Sequence, residues 1–219
     1  MTYKPAYPHD EIEFDPSLDL KPFEQEVVKR TKPVIVPRSQ WGALPAKQTV
    51  PTKLPLRRVF LTLWTDTPPC TSPEECERTM RELQRRHMDE FGLSDIKWNF
   101  LIGGDKEATI YEGRGWYNKS SKVLEMNPHH YLERLDIAFI GDYRNVPHPP
   151  WRYVEQAVDL VSYGEFLKTV RIDRDLLVLK GEGKADWDTW KGDWDAWLTE
   201  KIPDWANQDN PPCPADKFD

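Results

Sequence analysis

The chain has 219 residues, a formal net charge of −7 and a pI near 5.4. That balance excludes a phosphate-rich partner such as nucleic acid and disfavours an anionic membrane surface. Hydrophobic residues make up 38 % and charged residues 31 % of the chain, the balance of a soluble globular protein, and ten Trp point to a Trp-rich core or binding surface. No run of about 18 apolar residues offers a membrane span, and no basic-then-apolar leader opens the chain. The expectation is that such a segment has been removed or that the protein stays in the cytosol.

Taken in chain order, residues 1–32 read as an acidic, Pro-containing arm with one short helix around Phe23–Lys29. The β-branched and aromatic run Val59–Trp64 predicts a buried strand. Ser72-Pro73-Glu74-Glu75 then predicts a helix start, with Ser72 as cap, Pro73 at the first position and Glu75 reaching back to close a capping box. Cys76, Met80, Leu83, His87 and Phe91 fall on one face of that helix, and Gly92 ends it.

Phe100–Ile102 and Thr109–Tyr111 predict two strands of a hairpin turning around Gly103-Gly104-Asp105, and Leu135–Ile140 predicts another strand. Pro149-Pro150 precede a second amphipathic helix carrying Trp151, Val154, Val158, Val161 and Leu167. Leu176–Leu179 is a last short strand, and Trp187, Trp190, Trp194 and Trp197 form a third helical stripe whose first use is core packing. Residues 206–219 read as a polar tail. Strands and helices alternate, so the fold class is α/β: a central mixed β-sheet flanked by about three helices.

The side chains by themselves assemble no catalytic set. There are five histidines, none after residue 148. His87 reads as a packed core residue, adjacent His129 and His130 point to opposite faces of an extended segment, and His9 and His148 sit among prolines in loops. No HExxH, CxxC, GxSxG or Gly-rich phosphate loop occurs. Asp186, Asp188, Asp193 and Asp195 read as a solvated helix start rather than a cation site. Of the three cysteines, Cys70 and Cys76 flank a Pro-containing turn while Cys213 lies alone in the tail. The pair is either a disulfide, contributing about 2–3 kcal/mol by loop closure in an oxidising compartment, or two free thiols in a reducing one.

Several tracts resemble the peptidoglycan recognition proteins, relatives of the zinc-dependent N-acetylmuramoyl-L-alanine amidases. They are Val36-Pro37-Arg38-Ser39-Gln40-Trp41-Gly42-Ala43, Cys70-Thr71-Ser72-Pro73-Glu74-Glu75-Cys76, the run from Asp95 through Trp98-Asn99-Phe100 to Asp105, Ile110-Tyr111-Glu112-Gly113-Arg114-Gly115-Trp116, and Phe139-Ile140-Gly141-Asp142-Tyr143. They occur in the family's order from about residue 34 to 205, which places the domain at 33–205. The resemblance implies a Cys70–Cys76 disulfide, an amidase-type sheet with three helices, and a groove on one face for peptidoglycan fragments.

Active members of that family hold zinc with two His and one Cys, beside a catalytic Tyr. By resemblance those positions are Thr62, Glu182, Trp190 and Trp98 here, so all four are replaced and the resemblance implies neither amidase activity nor a cofactor. It implies instead a non-catalytic innate immune receptor or regulator. Such a protein would be secreted or the ectodomain of a membrane protein, and would bind a peptidoglycan fragment of the diaminopimelic-acid type, pair with another recognition domain, or both.

Gly92 and Arg114 stand where members preferring that peptide carry Gly and Arg, and such an Arg would pair bidentately with its extra carboxylate. Trp64, Leu93, Trp116 and Lys122 complete the expected groove wall, although the family has Trp in place of Leu93 and Gly-Ala-His in place of Ser120-Ser121-Lys122. Arg114 reads equally as a structural arginine in a tight turn. The competing readings are a protein-interaction module with a closed groove, Trp64, Trp98 and Trp190 plugging it, and an amidase using other ligands.

Overall fold

A computed structural model describes residues 32–104, 107–120, 134–143 and 149–171, and the backbone of 177–179. The short helix expected at 23–29, the Trp stripe at 187–197, the tail at 206–219 and Cys213 lie outside the described residues, as do Lys122, Glu182 and Trp190.

The described elements run β1 (Ile35–Val36), α1 (Arg38–Trp41), β2 (Arg58–Thr62), α2 (Pro73–Asp89), β3 (Phe100–Gly103), β4 (Thr109–Glu112), β5 (Arg134–Phe139), α3 (Trp151–Phe166) and β6 (Leu177–Leu179). The six strands form one mixed sheet in the order β1-β4-β3-β5-β2-β6. Only the expected hairpin, β3 with β4, is antiparallel; β1–β4, β3–β5, β5–β2 and β2–β6 pair in parallel.

Side-chain alternation along the strands assigns the two faces. Val59, Leu61 and Leu63 from β2 and its extension, and Leu135, Ile137 and Phe139 from β5, pack with Tyr153, Val154, Ala157, Val158, Leu160 and Val161 of α3. On the other side Leu101, Tyr111 and Ala138 pack with Cys76, Met80 and Leu83 of α2 and with Trp41 of α1. Helices therefore cover both faces of the sheet, as a largely parallel sheet requires.

Helix α2 starts as its sequence directs: Ser72 Oγ accepts the Glu75 N–H at 3.2 Å, with Pro73 in the first turn. The Glu75 carboxylate reaches one residue further back than a capping box requires and accepts both the N–H and the hydroxyl of Thr71 at 2.8 Å. The Thr71 N–H, its hydroxyl and lesser partners hold Glu75 below the usual carboxylate range. A Cys70–Cys76 disulfide closes the loop in front of the helix. The apolar stripe is shorter than its periodicity suggests. It ends at His87, the helix stops at Asp89, and Phe91 lies beyond the end and is 57 % exposed. Gly92 takes φ +66°, a left-handed conformation, and Leu93 donates back to the His87 carbonyl at 2.9 Å.

Asp95 fastens the loop after α2 to both neighbouring helices. Its carboxylate accepts from Gln84 Nε2 at 2.6 Å, its own chain neighbour's N–H (Ile96) at 2.7 Å, and Arg38 of α1 in an ion pair of 3.0 Å. Trp41 adds an indole N–H to the Glu112 carbonyl at 2.8 Å. This anchoring fixes residues 95–99, which carry Trp98 to the sheet.

Candidate functional site

The parallel register of β2 and β5 sets Arg58 against Arg134, Phe60 against Asp136 and Thr62 against Ala138. Their neighbours Val59, Leu61, Leu135 and Ile137 point into the α3 core, so Arg58, Phe60, Thr62, Arg134 and Asp136 share the opposite face. Trp98 arrives on that face from the α2 side and donates its indole N–H to Thr62 Oγ1 at 3.2 Å. Both residues are buried. Two of the four positions singled out in the sequence are thus brought into direct contact.

This contact decides what Thr62 and Trp98 can do. An indole nitrogen donates and does not ligate, and the neutral Thr62 hydroxyl already accepts from it. Zinc sites are built from thiolate, imidazole and carboxylate, so this pair does not fit the metal. Among the described residues no group of three or more His, Cys, Asp and Glu is disposed to hold one.

His87 backs Trp98 in a T-shaped contact with centroids 5.2 Å apart and accepts the Lys97 N–H on Nδ1 at 3.1 Å. Burial, with Arg86, Lys97 and Arg114 adding repulsion, pushes its pKa down to about 3. It is the neutral, packed histidine its place on the helix suggests.

Arg114 is 5 % exposed and its guanidinium is engaged by the chain itself. Nε donates to the Ile96 carbonyl at 2.5 Å, Nη1 to the Lys119 carbonyl at 3.3 Å, and Nη2 to the Asp95 carbonyl at 3.3 Å and Ser94 Oγ at 3.4 Å. Its backbone N–H meets the Trp98 carbonyl at 3.0 Å, and the preceding Gly113 lies so close that a Cβ would collide with that same oxygen. Arg114 therefore clamps the loop that presents Trp98.

Of the remaining expected wall residues, Gly92 and Leu93 lead into Ser94, which Arg114 contacts, whereas Trp116 lies on the other face of the sheet. Trp116 is 9 % exposed, packs on Phe100 with centroids 4.6 Å apart, and belongs to the α3 core. Gly92 and Leu93 form the turn after α2, and half-buried Trp64 makes an isolated antiparallel bridge with Asp142.

Two charged residues that sequence reasoning passed over, Arg134 and Asp136, occupy the same face as Thr62. Asp136, with no exposed surface, accepts from Arg134 Nε at 2.8 Å and from the Ser120 hydroxyl in a short hydrogen bond. The Arg134 guanidinium carbon lies 4.4 Å from the centre of the Phe60 ring. Asn99 ties this group to β3: its N–H donates to the Asp136 carbonyl at 2.9 Å, and its Oδ1 accepts the Asp136 N–H at 3.0 Å. The available signal was alternation, because Arg134 and Asp136 interleave with Leu135, Ile137 and Phe139 in a strand buried on both faces. Away from this face, a cavity of about 450 Å³ between the loop after β2 and α2 is lined by Asp66, Thr67, Glu82, Arg85, Arg86 and Glu90, and none of the expected site residues borders it.

A mixed sheet with helices on both faces and a disulfide ahead of α2 agree with what the resemblance to the peptidoglycan recognition proteins implies for the fold. Comparison with known proteins sharpens this. The chain is 37 % identical over 131 residues to peptidoglycan recognition protein 1 of Rattus norvegicus, spanning 59 % of this chain and 67 % of the rat protein. It is 38 % identical over 129 residues to peptidoglycan-recognition protein 1 of Holotrichia diomphalia, spanning 59 % of this chain and 61 % of that protein. Among solved structures, the tracheal cytotoxin-bound ectodomain complex of peptidoglycan recognition proteins LCa and LCx superposes with a TM-score of 0.57 at 32 % identity, covering 68 % of this chain and 83 % of that one. Wild-type Drosophila PGRP-LB matches with a TM-score of 0.58 at 29 % identity, covering 68 % of this chain and 82 % of that one. No family model matches the chain. The chain belongs to the peptidoglycan recognition protein family. It spans about three fifths of the length of the three Holotrichia relatives.

Proposed function

We propose that this domain recognises without hydrolysing: a non-catalytic receptor or regulator of innate immunity that acts by binding a muropeptide or by pairing with another recognition domain. The observation that carries this reading is the Thr62–Trp98 hydrogen bond. By resemblance these are the positions of a zinc-binding His and of the catalytic Tyr, and here the Thr62 hydroxyl accepts the Trp98 indole N–H. Glu182 and Trp190 stand at the other two ligand positions, and one carboxylate is too little to hold a catalytic zinc. An amidase using other ligands would need a donor set that Thr62 and Trp98 do not supply.

The relatives illustrate both modes of action. The ectodomain complex of LCa and LCx is solved with tracheal cytotoxin bound, and peptidoglycan recognition protein LE is solved with the same monomeric diaminopimelic acid-type peptidoglycan. A secreted or ectodomain setting for this chain accords with its disulfide and with the LCa relative, a transmembrane receptor. No helix among the described residues is long and apolar enough to cross a membrane. We take residues 33–205 as the recognition domain, with an acidic arm before it and a polar tail after it.

A second reading, the closed-groove interaction module, is favoured by Arg114. Its guanidinium is buried against four protein oxygens rather than presented to a ligand carboxylate. The test of the main reading is peptide release from diaminopimelic-type peptidoglycan with zinc supplied: none is expected, and chelator-sensitive release would overturn it.

A further inference from the structure

We propose that the Arg134–Asp136 ion pair, seated on Phe60 and joined by Ser120, is a built-in plug that closes the α2 face of the sheet against a muropeptide. The inference rests on the preceding reading, because Thr62 and Trp98 are what mark this face as the former site.

Four observations carry it. Strand register places Phe60 and Asp136 directly beside Thr62 and Ala138, so the pair occupies the floor next to the former ligand position. A floor that holds a ligand has to be open, yet Thr62, Trp98, Ser120, Arg134 and Asp136 are all less than a tenth exposed. The ion pair is made within the sheet: Arg134 Nε and the Ser120 hydroxyl both donate to Asp136 Oδ2 and the guanidinium lies over Phe60, while Asp136 Oδ1 is buried without a hydrogen-bond partner among the described residues. Asn99 then holds the Asp136 backbone through both its N–H and its carbonyl, which fixes the strand that carries the carboxylate.

A muropeptide entering here would have to displace a desolvated ion pair and leave at least one charge buried without its partner, and breaking such a pair is strongly unfavourable.

The experiment is calorimetric titration of a monomeric diaminopimelic-acid-type muropeptide into the full chain and into two double variants. Arg134→Ala with Asp136→Ala removes both charges and their volume. Arg134→Met with Asp136→Leu removes the charges but keeps the floor filled. Wild type and the filled variant are expected to give flat titrations, and the Ala variant to bind at least about tenfold more tightly than either. Should the Ala variant lack a cooperative melt, Arg134→Ser with Asp136→Ser, which also removes both charges and most of their volume, carries the same expected gain. Wild-type binding that weakens when the pair is removed would make Arg134 or Asp136 a ligand contact and overturn the plug. Flat titrations in every folded variant would overturn it too, as would equal binding by the filled and Ala variants. Each of these results leaves the non-catalytic reading standing, since that fails only on peptide release.

Discussion

Acidification should weaken this fold through one identifiable residue. His87 is buried against Trp98 and carries a pKa of about 3, against about 6.5 in an unfolded chain. Between those values the unfolded chain binds a proton that the folded chain refuses, so stability rises with pH through this window and is lost as pH falls. The contribution is fully present above about pH 6.5 and declines by about 1.4 kcal/mol per unit below it. Going from pH 7.5 to 4.5 therefore removes about 3 kcal/mol through His87, and the whole window is worth about 5 kcal/mol. Urea unfolding of wild type and His87→Gln across that range isolates the effect. Gln offers an amide oxygen to the Lys97 N–H that His87 Nδ1 now accepts, but cannot take up the proton. The variant is expected to start less stable at pH 7.5 and to lose about 3 kcal/mol less on acidification. Parallel pH profiles for the two proteins, or a His87 imidazole titrating near pH 6.5 by NMR, would refute the reasoning.

Thr62→Val keeps the shape of the side chain and strands the buried Trp98 indole N–H that Thr62 Oγ1 now accepts. It should cost about 2 kcal/mol, lowering Tm by about 4–8 °C, whereas Thr62→Ser, which retains the acceptor, should lose less than half of that; calorimetric melts decide. Arg114→Ala removes the donors to the Ile96, Asp95 and Lys119 carbonyls and should destabilise the fold by about 3 kcal/mol in urea melts, whatever its effect on a ligand. A neutral effect on stability would return Arg114 to the ligand-binding role that its motif suggests.

Much of the scaffold was legible because its signals are local. Ser72-Pro73 fixed the start of α2, β-branched runs marked β2 and β5, and Gly103-Gly104 marked the β3–β4 hairpin. Two elements escaped for the same reason inverted. Ile35–Val36 is a strand only because β4 is there to pair with it, and the single turn Arg38–Trp41 is held by Glu112, Gly113 and Asp95 from distant parts of the chain. Neither leaves a periodic trace in so few residues. Phe91 shows the opposite error: spacing continued the α2 stripe through it, but the helix ends two residues earlier and Gly92 turns the chain away.

The site divided along a similar line. Sequence resemblance named Thr62 and Trp98, but their mutual hydrogen bond depends on residues 36 apart meeting across α2. Arg114 could be read either as a ligand clamp or as a loop clamp, and only the positions of the Ile96, Asp95 and Lys119 carbonyls favour the second. Arg134 and Asp136 drew no notice because charged residues are abundant in this chain. What distinguishes them is burial in the middle of a covered sheet, a property of the assembled fold.

The central claim is that this recognition domain retains the amidase scaffold without the chemistry. The most direct measurement incubates the purified full chain, supplied with zinc, with diaminopimelic-type peptidoglycan and follows release of the stem peptide by mass spectrometry, with and without chelator. With Thr62 hydrogen-bonded to Trp98, release should stay at the protein-free level in both conditions. Release above that level, abolished by chelator and restored by zinc, would contradict the account.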